Sequence, residues 1–320
     1  MNQYCIHSKQ SSGSAHSFCQ DHYRVLRHGD HLILVVADGH GGTAYTRSDI
    51  GASFACAAAE AVLLDGTEPA SVPAAIKDRY DAMVADHLNR HPLCQWETDH
   101  LGDTPPHGVY GATLLAAVLS DQGTDLYQLG DGEIHTLNQA GAFLPELPAD
   151  DHCQGNLTSS LANNRDFVLN HFRVSHCDIP VAAIMLFSDG CDGGFLQIAQ
   201  ALTDPENLKS HLQAVFHRTD RGDDQTLLLA YDPEIIADES FQLCLRSAVQ
   251  TAQAEARKAT KAEQDRLELA RLREYLSKAL GIAQQMQRTG NPSLPVFLET
   301  IKPSYRRFEA LTAQYSKLPE

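Results

Sequence analysis

The stretch His31-Leu32-Ile33-Leu34-Val35-Val36-Ala37-Asp38-Gly39-His40-Gly41-Gly42 carries an unbroken apolar run into an acidic, glycine-rich exit. A run of this length ending in turn residues predicts a strand buried on both faces. A carboxylate at such a strand end is rigidly held, and glycine lets the backbone approach whatever that carboxylate binds. The arrangement recurs. Residues 126–129 run into Gly130-Asp131-Gly132, and residues 181–187 run into Ser188-Asp189-Gly190. A fourth acidic segment, Arg221-Gly222-Asp223-Asp224-Gln225-Thr226, precedes its strand at 227–231. Four carboxylate sites at strand ends suit a shared cluster of hard oxygen ligands, the coordination preferred by Mg²⁺ and Mn²⁺. The cluster lacks the His and Cys pairs of a zinc site.

Composition sets the limits around this cluster. The chain has 320 residues, 43% of them hydrophobic, enough for a large core or one domain with an appendage. No apolar run approaches the roughly 20 residues of a membrane span, and the N-terminus lacks a secretory pattern, so the expected location is the cytoplasm. The eight cysteines are scattered without a C-x-x-C pair, which favours free thiols in a reducing compartment. The net charge of −16 is uneven. Residues 238–320 hold 13 Lys+Arg and 10 Asp+Glu, a balance of +3, which leaves −19 on the rest. So acidic a body argues against a nucleic-acid ligand.

Six short motifs stand in one order: Gln20-Asp21, Asp38-Gly39-His40-Gly41-Gly42, Gly111-Ala112-Thr113, Gly130-Asp131-Gly132, Ser188-Asp189-Gly190 and Asp223-Asp224-Gln225-Thr226. In this order they resemble the metal-dependent serine/threonine phosphatases of the protein phosphatase 2C family, in its bacterial form, over roughly residues 10 to 232. The resemblance implies an α+β fold, an α-β-β-α sandwich of two antiparallel sheets flanked by helices. It implies two, and with a weaker site three, Mn²⁺ or Mg²⁺ ions. By resemblance Asp38 bridges two metals, the Gly39 carbonyl binds one of them, and Asp189 and Asp223 complete the inner shell. Asp131 matches a third-metal position, and Asp21 contacts metal-bound water from outside. With Thr226 as the fixed point, Asp223 takes the ligand position and Asp224 the neighbouring one. His40 is the candidate general acid for the leaving oxygen, since an unperturbed imidazole titrates near 6.5. The expected route is direct attack by a dimetal-activated water.

Two departures from the family pattern concern the substrate phosphate. Where many relatives carry a phosphate-binding Arg five residues before Asp21, this chain has His16, and Gln20 replaces a frequent Glu. Arg24, Arg27 and Arg47 are the candidate substitutes. The expected substrate is a phosphoprotein carrying phosphoserine or phosphothreonine, with a cognate kinase as counterpart. A phosphoprotein-binding scaffold without turnover and a phosphatase of small metabolites are the alternatives.

Elsewhere, the alanine-rich stretch from Ser48 to Leu64 predicts a helix, and a second helix is expected from Ser71, as N-cap, to about Asn89. Residues 90–107 read as a loop, and the histidines in or near it (His87, His91, His100, His107) fit no zinc pattern. Residues 111–119 and 124–130 read as a hairpin continued by 133–137, and 138–175 as an aperiodic stretch where relatives carry a flap. Two short helices are expected over 193–202 and 206–217. Asp232-Pro233 marks a boundary, giving a catalytic domain over 1–235 and a helical extension over 236–320. In the extension, Leu269, Leu272, Leu276, Ala279, Ala283 and Met286 form one helical stripe, and 294–315 a second, shorter segment. The hairpin either docks within the chain or serves as an arm for a protein partner or self-association.

Overall fold

The computed structural model describes residues 4–14, 18–102, 104–144, 147–148, 150–153, 157–191, 195–218, 222–289 and 292–315. In chain order the strands are β1 (Cys5–Ser11), β2 (His22–His28), β3 (His31–Ala37), β4 (Leu114–Ser120), β5 (Gly123–Leu129), β6 (Glu133–Leu137), β7 (Arg173–Cys177), β8 (Ala183–Phe187) and β9 (Gln225–Tyr231). They form two antiparallel sheets, ordered β1-β9-β8-β6 and β2-β3-β4-β5-β7. The helices are α1 (Ser48–Leu64), α2 (Val72–Arg90), α3 (Gln95–Leu101), α4 (Arg165–His171), α5 (Phe195–Leu202), α6 (Leu208–Arg218), α7 (Pro233–Ile236), α8 (Glu239–Arg288) and α9 (Leu294–Tyr315).

The unbroken apolar run of β3 is explained by its two packed faces. Ile33, Val35 and Ala37 meet Ala52, Ala55, Cys56 and Tyr80 of α1 and α2. Leu32, Leu34 and Val36 meet Ile184, Leu186, Leu228 and Ala230 of the other sheet. That second sheet is covered on its far side, where Met185, Phe187, Leu227 and Leu229 pack with Ile198, Leu202, Phe241, Leu245 and Val249. Helix, sheet, sheet and helix thus stack in four layers, as expected for the α-β-β-α sandwich. Because side chains alternate along a strand, only a central strand between two apolar layers needs every position apolar.

The chain divides into two compact units, Met1–Val249 and Gln250–Glu320. The first includes the opening turns of α8, whose Phe241, Leu245 and Val249 are buried. In the second, α9 and the later part of α8 form a helical hairpin. Ala279, Ala283 and Leu311 are buried there, and Arg307 grips Glu268 in a two-pronged ion pair at 2.8 and 2.7 Å.

Several local expectations are corrected. β6 does not continue the β4–β5 hairpin; after Gly130-Asp131-Gly132 the chain crosses to the other sheet, where Glu133 pairs with Phe187. Ser71 does stand at the N-cap of α2 as expected, but its side chain makes no cap hydrogen bond and it ends a short 3₁₀ turn. Residues 138–175 contain α4 and β7, and the polar segment before Gln10 forms the edge strand β1.

The supposed loop at 90–107 holds α3, closed by a capping box in which the Glu97 carboxylate accepts from Cys94 N–H at 2.8 Å. Arg47 anchors that helix. Its guanidinium donates to both Glu97 oxygens at 2.6 and 2.8 Å, to the His91 and Pro92 carbonyls, and to Tyr110 Oη. All five N–H donors are engaged, so Arg47 is a structural residue here and not a phosphate ligand. Its hydrogen bonds pull the Glu97 carboxyl down to about 2. Removing one partner of a buried pair costs about 3 kcal/mol, because the other is left buried and charged. Arg47→Met is therefore expected to destabilise the fold by about 3 kcal/mol in denaturant unfolding. A carboxylate with a depressed folded-state value contributes stability that is present above the unfolded value and lost as pH falls through the folded one. Wild-type stability attributable to Glu97 should accordingly fade as pH drops from about 4.5 toward about 2, and Glu97→Gln should show no such loss.

Candidate metal centre

Asp38 leaves β3 at its C-terminal end, Asp189 leaves β8, Asp223 precedes β9, and Asp131 sits in the crossing between β5 and β6. The sandwich brings these ends together. Burial drives the Asp38 carboxyl well above the usual carboxylate range, and the charges of Asp21, Asp189 and Asp223 push it further. Burial also raises Asp131, with Asp189 and Asp223 adding to the effect and Thr158 opposing it. Asp21 lies 2% exposed, and burial lifts it to about 6 even though Ser188 Oγ donates to its Oδ2 at 2.8 Å. The carboxylates therefore repel one another in a desolvated pocket.

The backbone around them is tightly constrained. Asp38 N–H donates to Thr113 Oγ1 at 3.1 Å, and Thr113 N–H to the Asp38 carbonyl at 2.9 Å. Gly39 bridges to Ala112, which aligns the second and third motifs. A side chain at Gly111 would lie 2.4 Å from the His40 ring, so glycine there leaves the room that the imidazole occupies. A side chain at Gly190 would lie 1.8 Å from the Asp224 carbonyl, which keeps the turns of Asp189 and Asp223 in contact. Ser188 joins three segments, receiving Thr226 N–H at 3.0 Å and donating to Asp21.

Asp223 and Asp224 have different surroundings. Asp223 is exposed and faces Asp38, and one of its oxygens accepts Asp224 N–H. Asp224 points inward, accepting Gly13 N–H at 2.8 Å and Gln20 N–H at 2.5 Å. It ties the loop before β2 to the turn before β9.

His40 is held by its backbone N–H to the Gly111 carbonyl and by an edge contact with Tyr45. Burial lowers its imidazole to about 4, against the pull of Asp189. Next to Asp131 opens a cavity of ≈ 250 Å³, lined by Gln128, Glu133, His135, Leu147 and Asp150 among others. Asp150 forms a fixed wall. Burial alone would raise its carboxyl, but Ser159, Arg173 and His171 more than offset that and hold it well below the usual range.

The remaining phosphate candidates are engaged elsewhere. Arg24 pairs with Glu60 of α1 at 3.5 Å, and Arg27 donates to the Tyr4 carbonyl at 2.6 Å. His16 lies outside the described residues. His87 bonds Tyr110 Oη at 2.7 Å, a structural contact. Sequence reasoning passed over Cys19, whose Sγ lies within 4.8 Å of ligand atoms of Asp21 and Asp224.

The donor set fits hard divalent cations. All the converging side chains offer carboxylate oxygen, and Asp189 Oδ1 is buried without a hydrogen-bond partner. An acceptor left so is costly unless a cation or water meets it.

Comparison with known proteins agrees with this geometry. The protein phosphatase 2C family model matches residues 10–230. A bacterial serine phosphatase shares the fold at a TM-score of 0.52 and 12% identity, over 72% of this chain and 98% of that one. PppA, a key regulatory component of T6SS in Pseudomonas aeruginosa, aligns at 0.50 and 18%, over 71% and 97%. The serine/threonine phosphatase Stp1 from Staphylococcus aureus aligns at 0.50 and 13%, over 72% and 95%. No curated protein matches the sequence at a significant level. Identities this low show the shared fold, while the family match spans most of the chain and every converging aspartate. The chain belongs to the protein phosphatase 2C family of protein-serine/threonine phosphatases, and carries a helical C-terminal extension.

Proposed function

We propose that this protein hydrolyses phosphoserine and phosphothreonine on protein substrates in a reaction that requires Mn²⁺ or Mg²⁺. The convergence of Asp38, Asp189 and Asp223 from three strand ends, where the charges of Asp189 and Asp223 act on a half-buried Asp38, carries the reading. Asp38, the Gly39 carbonyl, Asp189 and Asp223 would hold two ions, with Asp131 available to a third and Asp21 supporting from outside. Bound there, the cations neutralise phosphate charge and lower the pKa of an attacking water.

The protein's own groups do the rest. Asp224 and Ser188 fix the loop and turn that carry Asp21, Asp189 and Asp223, so the donors are preorganised. His40 is neutral in the free site. An anionic phosphate nearby favours the charged imidazolium, so substrate binding equips His40 to pass a proton to the leaving seryl or threonyl oxygen. The cavity beside Asp131 supplies room for the substrate next to the cluster. The extension is placed from residue 236 by the sequence, and its first turns, through Val249, belong to the compact catalytic unit. No helix among the described residues is long and apolar enough to cross a membrane, and all eight cysteines are free, which supports a reducing cytoplasmic setting. A cognate serine/threonine kinase would supply the phosphorylated substrate.

Steady-state kinetics on a phosphothreonine peptide and p-nitrophenyl phosphate, with Mn²⁺, Mg²⁺ or chelator, test the reading. Activity is expected only with metal and preferentially on the peptide. Asp38→Ala and Asp223→Ala should each lower kcat by at least about 100-fold, the scale for losing one electrostatic partner of a transition state. Preference for small esters would shift the reading to a metabolite phosphatase. Metal binding without turnover would shift it to a phosphoprotein-binding scaffold. Asp224→Ala should behave differently, with a loss of about 3 kcal/mol in stability from two buried N–H groups left unpaired.

A further inference from the structure

Cys19, Asp21 and Asp224 form a second group of potential ligands, none of them lining the cavity beside Asp131, and the proposed reaction makes no use of the thiol. The three side chains come from the loop before β2 and the turn before β9, and their ligand atoms all lie within 4.8 Å of one another. Asp21 and Asp224 are each 2% exposed. Asp21 Oδ2 takes the Ser188 hydroxyl, but Oδ1 is buried with no hydrogen-bond partner. Gln20 N–H to Asp224 Oδ2 pins the loop against the turn on either side of the group.

We propose that Cys19, Asp21 and Asp224 form a binding site for a thiophilic divalent cation of the Zn²⁺ class, adjoining the all-oxygen set at Asp38 and sharing Asp21 with its surroundings. Zn²⁺ takes thiolate sulfur at about 2.3 Å and carboxylate oxygen at about 2.0–2.2 Å in tetrahedral geometry, and accepts water as a fourth ligand. Sulfur and oxygen donors on such an ion stand within the mutual spacing found here. Mg²⁺ and Mn²⁺ have little affinity for sulfur, so the thiol sorts cations between the two sites. Binding converts the Cys19 S–H to a sulfur–metal bond and releases one proton to solvent, with no change of oxidation state. A hydroxyl would serve the loop contact with Asp224 as well as a thiol does, so the sulfur adds metal preference and little else. Asp21 also charges Asp38 electrostatically, so occupancy of this site acts on the neighbouring centre.

The test is a titration of the metal-stripped full chain with Cd²⁺, read by its thiolate charge-transfer absorbance, for wild type, Cys19→Ser and Cys153→Ser. Wild type and Cys153→Ser should share one site that Zn²⁺ displaces and that Cys19→Ser has lost or weakened by more than about tenfold. Mn²⁺ binding, followed by its free-ion EPR signal, should be unchanged in Cys19→Ser. In parallel, alkylation of wild type mapped by mass spectrometry should show Zn²⁺ protecting Cys19 and not the exposed Cys5, Cys94 and Cys244. The same band in Cys19→Ser, or no protection of Cys19 by Zn²⁺, would overturn the proposal. Neither readout depends on phosphatase turnover, so this site fails or stands independently of the proposed reaction.

Discussion

Buried carboxylates that repel one another are the constraint around which this protein is built. Asp38 feels the charges of Asp21, Asp189 and Asp223, with Asp21 buried, Asp38 and Asp189 half-buried and Asp223 at the exposed rim. Such a cluster opposes folding unless cations or protons neutralise it. The surrounding architecture reads as the means of holding it together. Two antiparallel sheets bury their facing and outer surfaces in three apolar layers, and the acidic turns sit where those strands end. Hydrophobic burial at roughly 25 cal/mol per Å² across such layers is large enough to tolerate local repulsion at a functional site.

Rigidity near the cluster comes from short polar links that span long stretches of sequence. Asp224 joins the turn before β9 to Gly13 and Gln20, and Ser188 connects β8 to Asp21 and Thr226. The glycines of the motifs contribute by what they leave out. At Gly111 and Gly190 any side chain would displace the His40 ring or the Asp224 backbone. Asp21 lies near both the Cys19 thiol and the Asp38 carboxylate, so one carboxylate borders two chemically different donor sets.

Much of this was legible in the residues. The β3 run, the strands at 183–187 and 225–231, α1 and the two helices of the extension follow from apolar patterning and composition, which act locally. The family pattern around Thr226 puts Asp223 at the proposed ligand position, and the inward hydrogen bonds of Asp224 are compatible with that register. What stayed hidden depended on remote partners. α3 forms because Arg47, far back in the chain, satisfies Glu97, and no local signal marks that bond. The passage of β6 to the second sheet turns on its pairing with β8, whose sequence lies some fifty residues on. β1 is polar because it is an edge strand, so it lacks the alternation that would have marked it. The arginines that charge counting offered to a phosphate proved to be engaged with Glu60, Tyr4 and Glu97.

The central claim is that the aspartate cluster is arranged for cations at the expense of the empty fold. It is tested most directly by the melting temperature of wild type and Asp38→Asn, each in chelator and in saturating Mn²⁺. If the carboxylates repel one another as the geometry requires, Asp38→Asn melts above wild type in chelator, and the order reverses in Mn²⁺ because the variant gains less from the metal. Equal melting in chelator together with equal gains from Mn²⁺ would contradict the account, since Asp38 would then be neither strained by its neighbours nor bound to the ion.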